Sequence, residues 1–393
     1  MISGFRFVRT PTIVFGAGKF EEVPRMIGDM GKTALVVTGG GSYRASGRWE
    51  RFIESLKSNG IRHYHVEVSG EPTPEVVDAA AAEFRGKGID VVMGWGGGSV
   101  VDVGKAVSAM LPQGVSVFDF LENVGAGAEH NGVKAPFIAV PTTSGTGSEA
   151  TKNAVLRRVG AEGFKNSLRH DNLVPDVAVI DPELMVSCPA PVTAACGMDA
   201  FTQLLESYVS TQASMMTDAL AFSGLECVAR SLVRVCTDGA GDVGARGDMA
   251  YAALMSGITL ANAGLGVVHG FAGPIGGFFD IPHGVVCGTL VGAATEATIK
   301  KLMKNHGDNH IALRKYARVG ALLCGNGEKD TAKGCAMLVE RIGEWTEELK
   351  IPRLGAYGIG EGDLDKIVAV LGNKCNPVEL DVEEMREVLG RRL

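Results

Sequence analysis

No stretch of the 393-residue chain approaches the roughly 20 consecutive apolar residues that a membrane-spanning helix requires. The opening MISGFRFVRTPTIVFGAG lacks a basic segment followed by a long apolar core, so a cytoplasmic location is expected. A basic surplus is missing as well. With a formal net charge of −7 there is no cationic surface to hold a phosphate backbone or an anionic bilayer, which argues against nucleic acid and membrane as partners. The eight cysteines contain no CxxC pair and are scattered through apolar or helical stretches, so buried free thiols are expected rather than a disulfide framework or a cysteine zinc site. Although glycine reaches 54 residues, no G-X-Y period accompanies it. Nor does any repeat of 20 to 50 residues or any low-complexity linker interrupt the chain.

What remains is the composition of a folded globular chain, with 46% hydrophobic and 21% charged residues. Its length exceeds what one hydrophobic core usually fills, so two domains are expected. Up to about residue 182, β-branched runs (TALVVTGGG, RHYHVEV, DVVMGWGGGS, PFIAVPTTSG, DVAVID) alternate with helical patterns, the signature of parallel βαβ units. Between them, SGRWERFIESLKSNG carries Trp49, Phe52, Ile53 and Leu56 on one stripe, and TPEVVDAAAAEFRGKG opens with a Thr cap and a Pro at the first helical position. After DPELMVSCPAP the alternation stops and Ala/Leu/Met-rich helical stretches run nearly to the end. The IDPELM turn divides an α/β domain, 1–182, from a helical domain, 183–393, and the cleft between them is the default ligand site.

Three strand ends are rich in glycine. VVMGWGGGSVVDVGKAV places a strand, the loop Gly94, Gly96, Gly97, Gly98 and a helix start at Ser99 in succession. Without Cβ atoms such a loop can bring backbone N–H groups to a pyrophosphate, and the helix terminus favours the anion. Ser99 and Asp102 line this helix start, and the same pair also fits an ordinary capping box. A second strand runs into TTSGTGSEAT, where Thr142, Thr143, Ser144 and Thr146 cluster hydroxyls. Two such loops on the carboxyl edge of one parallel sheet predict a dinucleotide. After the strand ending at VVT, Gly39 and Gly40 stand where an acidic residue would bond a ribose 2′-hydroxyl, with Ser42 and Arg44 placed to receive a 2′-phosphate. This predicts NADP, with NAD as the alternative.

The second half supplies His269 and His283, each followed by Gly, and on the helix GMDAFTQLLESYV the residues Asp199, Gln203 and Glu206 share one face. Two imidazoles and a carboxylate can hold one side of a divalent ion and leave open positions for a substrate oxygen. Glu206 is read as a structural hydrogen-bonding group beside them. His306 and His310 fall in a polar helix connection and are read as caps; His63 and His65 lack acidic partners.

In order along the chain, PTIVFGAGKFEEVP, GGGSVVDVGKA, PTTSGTGSEAT, GMDAFTQLLESYVS, GLGVVHGFAGPIG and IPHG resemble the iron-containing (group III) alcohol dehydrogenase family over nearly the whole length. The resemblance implies a Rossmann-like α/β N-terminal dinucleotide-binding domain and an all-α C-terminal domain, the architecture shared with dehydroquinate synthase. It also implies NAD(P), a divalent metal (Fe or Zn, with Mn possible), a small alcohol, aldehyde or ketone substrate, and a homo-oligomer, dimer or larger. Roles at the cofactor are implied for Gly97, Gly98, Ser99, Thr142, Thr143 and Lys165, and at the metal for Asp199, His269 and His283. Two positions depart from the family pattern. Gln203 replaces the histidine of DxxxH, and Gly273 replaces the second histidine of HGxxH. An amide oxygen is a weaker donor than imidazole, so a weakened or three-ligand site is expected.

The reading is an oxidoreductase that passes hydride between a nicotinamide and a carbon whose oxygen rests on the metal. Two competitors belong to other classes: a metal-assisted lyase or cyclase of the dehydroquinate-synthase type, and a non-catalytic NADP sensor with a degraded metal site. The first should place several Lys and Arg beside the metal motifs, and residues 265–287 contain none.

Overall fold

The computed structural model describes residues 4–393; the side chains of Ser42 and Ala45 lie outside the description, and with them the cofactor role expected of Ser42. Six strands form one parallel sheet: β1 (Thr12–Phe15), β2 (Thr33–Gly39), β3 (Arg62–Val68), β4 (Val91–Gly96), β5 (Phe137–Pro141) and β8 (Val177–Ile180), in the order β1-β8-β5-β4-β2-β3. The interior strands β4 and β5 are buried throughout and β2 nearly so, as near-continuous apolar runs require when helices cover both faces. Alternate residues sort to the two faces. Leu35, Val37, Val92 and Ala139 meet Val77 and Phe84 of α3 (Pro74–Phe84) and Val103 and Val107 of α4 (Gly98–Met110). Ala34, Val36, Met93 and Ile138 meet Val23 and Ile27 of α1 (Val23–Met30) and Phe52 and Leu56 of α2 (Trp49–Ser58). The α3 start is as expected: Thr73 Oγ1 accepts from Val76 N–H, and Pro74 occupies the first turn.

Two elements were not foreseen. β1 is a short edge strand with little burial. The other is an antiparallel hairpin of β6 (Asn153–Arg158) and β7 (Phe164–Arg169), separate from the main sheet. Its strands alternate apolar residues with Arg157, Lys165, Ser167 and Arg169, a pattern that reads locally as loop and makes sense only when one face covers a polar cleft.

The rest is helical: α5 (Ala190–Val209), α6 (Met215–Cys236), α7 (Val243–Ala263), α8 (Val267–Phe278), α9 (His283–His306), α10 (Ile311–Leu323), α11 (Thr331–Glu348) and α12 (Val382–Gly390) are its longer members. Almost every residue of α5 from Thr193 onward is buried, because other helices surround it. The helical half and the α/β half meet backbone to backbone, among other places, at paired glycines. A Cβ added to Gly257 of α7 would lie 2.1 Å from the Gly147 carbonyl oxygen, and Gly147 itself sits at φ 62°. No single helix among the described residues is long and apolar enough to cross a membrane.

Candidate active site

Three helices bring four donor atoms together. Asp199 projects from the middle of α5, His269 from the first turn of α8, and His283 and Cys287 stand four apart on α9, one face of one helix. His269 Nε2 lies 3.3 Å and His283 Nε2 3.7 Å from Asp199 Oδ1, while Cys287 Sγ lies 3.6 Å from His269 Nε2 and 3.8 Å from His283 Nε2. One donor atom from each residue falls within 4.8 Å of the other three. Asp199 is 1% exposed. Burial alone would raise its carboxyl, but His283, His269 and Gln203 outweigh burial and bring it down to about 2. Burial holds His283 down, to about 4, as a neutral imidazole with a free lone pair. Burial also pushes the Cys287 thiol up to about 11, so a thiolate there needs a cation beside it.

Glu206 acts from behind. Its Oε2 takes His269 Nδ1 at 2.7 Å, leaving Nε2 directed at the cluster, and its Oε1 accepts the Val268 N–H at 2.7 Å, one of the donors that the start of α8 leaves without an intrahelical partner. The carboxylate fits because Gly266 has no Cβ; one there would lie 2.8 Å from Oε1. Gln203 turns its amide nitrogen to Asp199 Oδ1 at 3.3 Å, and its carbonyl oxygen is buried without a partner. A Cβ at Gly273 would meet only the Lys165 carbonyl oxygen, at 4.0 Å, so that wall is open.

In front of the cluster lies a cavity of about 430 Å³ between the sheet edge, the hairpin and the helical half. Gly98, Ser99, Asp102, Thr146, Ser148, Lys165, Gln203, His269, Gly273 and His283 line it. The α4 start is one residue earlier than expected, with Gly97 as an N-cap that has no side-chain bond. The capping-box reading of Ser99 and Asp102 therefore fails. Asp102 instead bonds Ser148 Oγ and the Val155 N–H at 3.2 Å, tying the glycine loop to the hairpin. The Thr142 N–H donates to the Gly96 carbonyl, and the Thr143 side chain sits 3.4 Å from where a Gly97 Cβ would be, so the two loops are neighbours. Ser144 turns away, its hydroxyl 3.0 Å from Met185 Sδ and off the main cavity.

At the β2 end, Gly39 and Gly40 begin a turn that leads to Arg44. Arg44 is held 3.1 Å from Glu67, which also accepts from Tyr43 Oη at 3.0 Å. Glu67 reaches the turn from the neighbouring strand β3, where a reading along β2 alone could not find it. Cys287, expected from the sequence as a buried thiol, joins the cluster; its i, i+4 spacing from His283 is the signal that could have found it. The cavity also collects Arg157, Arg169, Lys374 and Glu71, which are distant in sequence from the metal motifs. His310 caps α10 as expected, its ring accepting the Ala312 N–H.

The family model described as iron-containing alcohol dehydrogenase matches residues 10–182, and the one described as Fe-containing alcohol dehydrogenase family, C-terminal, matches residues 193–393. The chain belongs to the iron-containing alcohol dehydrogenase family. It is 32% identical over 395 aligned positions to the NADPH-dependent butanol dehydrogenase of Clostridium saccharobutylicum, covering 98% of this chain and 96% of that protein. It is 33% identical to the NAD-dependent methanol dehydrogenase of Bacillus methanolicus, covering 71% and 72%. A solved 1,3-propanediol oxidoreductase superposes with a TM-score of 0.87 at 29% identity, covering all of both chains. This iron-containing alcohol dehydrogenase is thus an NAD(P)-linked alcohol oxidoreductase built as a parallel sheet domain and a helical domain, and its family implies a divalent metal and a small alcohol or aldehyde substrate. The lyase and sensor readings are not favoured. Counting cations in residues 265–287 was the wrong discriminator, because Arg157, Lys165, Arg169 and Lys374 reach the same cavity from the hairpin and a C-terminal loop.

Proposed function

We propose that this enzyme interconverts a small alcohol and its aldehyde or ketone with NADP, and that Asp199, His269, His283 and Cys287 hold its divalent ion. The single observation that carries the reading is the spacing of the donors. An ion about 2.0–2.1 Å from imidazole and carboxylate donors and about 2.3 Å from a thiolate sets tetrahedral donor separations of roughly 3.3 to 3.6 Å; four of the six separations here run from 3.3 to 3.8 Å, and all six fall within 4.8 Å. On this reading Cys287 takes the fourth place left when Gln203 replaced a histidine, and Gln203 bonds the carboxylate instead. A soft sulfur beside two imidazoles favours Zn over Fe and Mn.

When bound, such an ion polarises a carbonyl or stabilises an alkoxide. Asp199 remains ionised and supplies the balancing charge. Glu206 fixes the His269 tautomer through Nδ1. The Gly97–Ser99 loop and the α4 terminus would hold the pyrophosphate, with Thr142 and Thr143 beside them and Lys165 lining the same cavity from the hairpin. Such contacts would fix the orientation of a bound nicotinamide, the protein's main contribution to hydride transfer. Asp102 supports the loop through Ser148, and Ser144 packs behind it.

Cobalt substitution tests the ligand set. The Co(II) enzyme should show a sulfur-to-cobalt charge-transfer band in the near ultraviolet that disappears in Cys287→Ser, with metal affinity falling about 10- to 100-fold. An unchanged spectrum in the variant would remove Cys287 from the set and leave three ligands.

For the nucleotide, Gly39 offers no carboxylate to repel a 2′-phosphate, and Arg44 can exchange Glu67 for it. The Clostridium relative's NADPH dependence supports this and the Bacillus relative's use of NAD does not. A Cβ at Gly39 would meet only Val100 Cγ2, at 3.4 Å, so Gly39→Asp fits. It should lower kcat/KM for NADP by about 100-fold and raise the NAD to NADP ratio, a charge repulsion of about 2–3 kcal/mol. A ratio that stays put in steady-state assays would mean the 2′ position lies elsewhere.

The division at residues 182 and 183, a cytoplasmic location and a homo-oligomer complete the proposal. The oligomer is supported by exposed Ile13 and Phe15 on the edge strand β1, whose free side can pair with another chain. Sedimentation velocity checks the assembly.

A further inference from the structure

The cavity carries four cationic side chains, Arg157, Lys165, Arg169 and Lys374, against two carboxylates, Glu71 and Asp102. Most of these charges already have partners. Glu71 lies between Lys165 at 3.1 Å and Arg157 at 3.6 Å, and Arg157 also meets Asp280 at 2.7 Å. Asp102 is committed to Ser148 and the Val155 N–H. Arg169 is forked onto Glu122 at 2.7 and 3.3 Å. Lys374 differs from them. Its ammonium donates to the His269 carbonyl at 2.7 Å, and no carboxylate pairs with it among the described residues. Glu206, whose charge acts on Lys374, is spent on His269 Nδ1 and the Val268 N–H.

The backbone is bent to put it there. Lys374 holds φ 48°, a left-handed conformation that among the described non-glycine residues is shared only by Asn123 and Lys350. A long side chain in that region costs free energy that the surroundings must offset, and such outliers concentrate where a side chain is aimed at a ligand. The residues either side are fixed independently. Asn373 bonds Leu380 through both its amide nitrogen and its oxygen, and the Cys375 N–H donates to the Leu265 carbonyl. The loop is therefore tied down on both sides of the lysine, with the ammonium resting on the backbone of the residue whose ring faces the metal position.

We infer that Lys374 is an anion-binding subsite, and that the substrate is an alcohol or aldehyde bearing a carboxylate a short carbon chain away from the reacting oxygen. This rests on the oxidoreductase reading and narrows its substrate class. With the reacting oxygen at the Asp199–His269–His283 cluster, the carboxylate would exchange water for the Lys374 ammonium, while the open wall at Gly273 leaves room for the intervening carbons. An uncharged alkanal would make no use of the ammonium, which would keep its water and the His269 carbonyl.

The test compares ω-oxo carboxylates with n-alkanals matched carbon for carbon, in wild type, Lys374→Met and Lys374→Arg. Wild type should favour the charged series by about 100-fold in kcat/KM, the ratio should fall by about that factor in Lys374→Met, and Lys374→Arg should recover most of it. A side chain needed only to brace the loop against His269 would lower both series together and leave the ratio where it was, which would overturn the assignment. A second arm needs no turnover. Calorimetry of the enzyme–NADP complex with butanoate should show binding that weakens at least 10-fold in Lys374→Met, and butanoate binding indifferent to the substitution would also overturn it. Turnover of alkanals without any preference for the acids would defeat this inference and leave the alcohol dehydrogenase reading standing. Binding of butanoate through Lys374 in a protein that oxidises and reduces nothing would do the reverse.

Discussion

Asp199→Ala should lower kcat by about 10³- to 10⁴-fold, about 4–5.5 kcal/mol of transition-state stabilisation, and should strip the bound divalent ion. The size follows from where the charge is. Asp199 is the one donor in the cluster that is anionic without help, since His283 is held neutral and Cys287 is a thiol until a cation arrives. At 1% exposure, water cannot take over the missing charge. Asp199→Asn keeps the volume and removes the charge, so it should fall nearly as far. Elemental analysis beside initial rates distinguishes loss of the ion from loss of fold, and circular dichroism should be unchanged. A variant that kept both its metal and its rate would show that the three helices converge for packing alone. Glu206→Gln should be milder, about 10- to 100-fold, because the amide still occupies the space behind His269 and loses only the charge that fixes its ring.

How much of this could be read from the letters depended on distance along the chain. The α/β half was legible because interior strands such as TALVVTG and VVMGWG are apolar runs with glycines at their carboxyl ends, which local pattern reports directly. Asp199, Gln203 and Glu206 were legible as one face because helical spacing alone puts them there. The departure at Gln203 was visible too, but its physical consequence was not. Nothing in the segment from 264 to 288 says that the thiol four residues after His283 lies 3.6 Å from the ring of His269, since that depends on how α8 and α9 cross. The same limit hid the cations of the cavity. Arg157 and Lys165 come from a hairpin whose strands look like loop until a cleft is placed beneath them, and Lys374 comes from a segment more than a hundred residues beyond His269 that local pattern assigns to no site. Glu67 reaches the Gly39 turn through strand pairing, not sequence. Residues that act within one element were readable, and those whose role is set by what another element presents to them were not.

Lys105 shows the same limit inside a motif that was in plain view, and its removal should be the largest stability loss outside the metal cluster. It closes GGGSVVDVGK on α4, is 0% exposed, and its ammonium donates to the carbonyl oxygens of Ser148, Thr151 and Asn153 at 2.7, 3.0 and 2.8 Å and to the hydroxyls of Ser148 and Thr151 at 3.2 and 3.0 Å. An ammonium has three protons, so these acceptors share them, and the segment from Ser148 to Asn153 wraps around a single charge. Burial brings Lys105 down to about 8, while Asp102 and Glu149 pull the other way. The charge thus joins the helix that starts at the glycine loop to the chain leading into the hairpin, two walls of the cavity in which the proposed nucleotide would lie. Lys105→Met preserves length and packing but removes the charged donor shared by three carbonyls and two hydroxyls and leaves two buried carboxyls without a nearby cation, a loss of about 3–5 kcal/mol. Urea unfolding at neutral pH should show that loss as a lower midpoint with an unchanged slope, and KM for the nucleotide should rise with it because the hairpin is no longer tied to α4. A change below about 1 kcal/mol would mean that water can replace the ammonium and that the segment is held by its backbone alone.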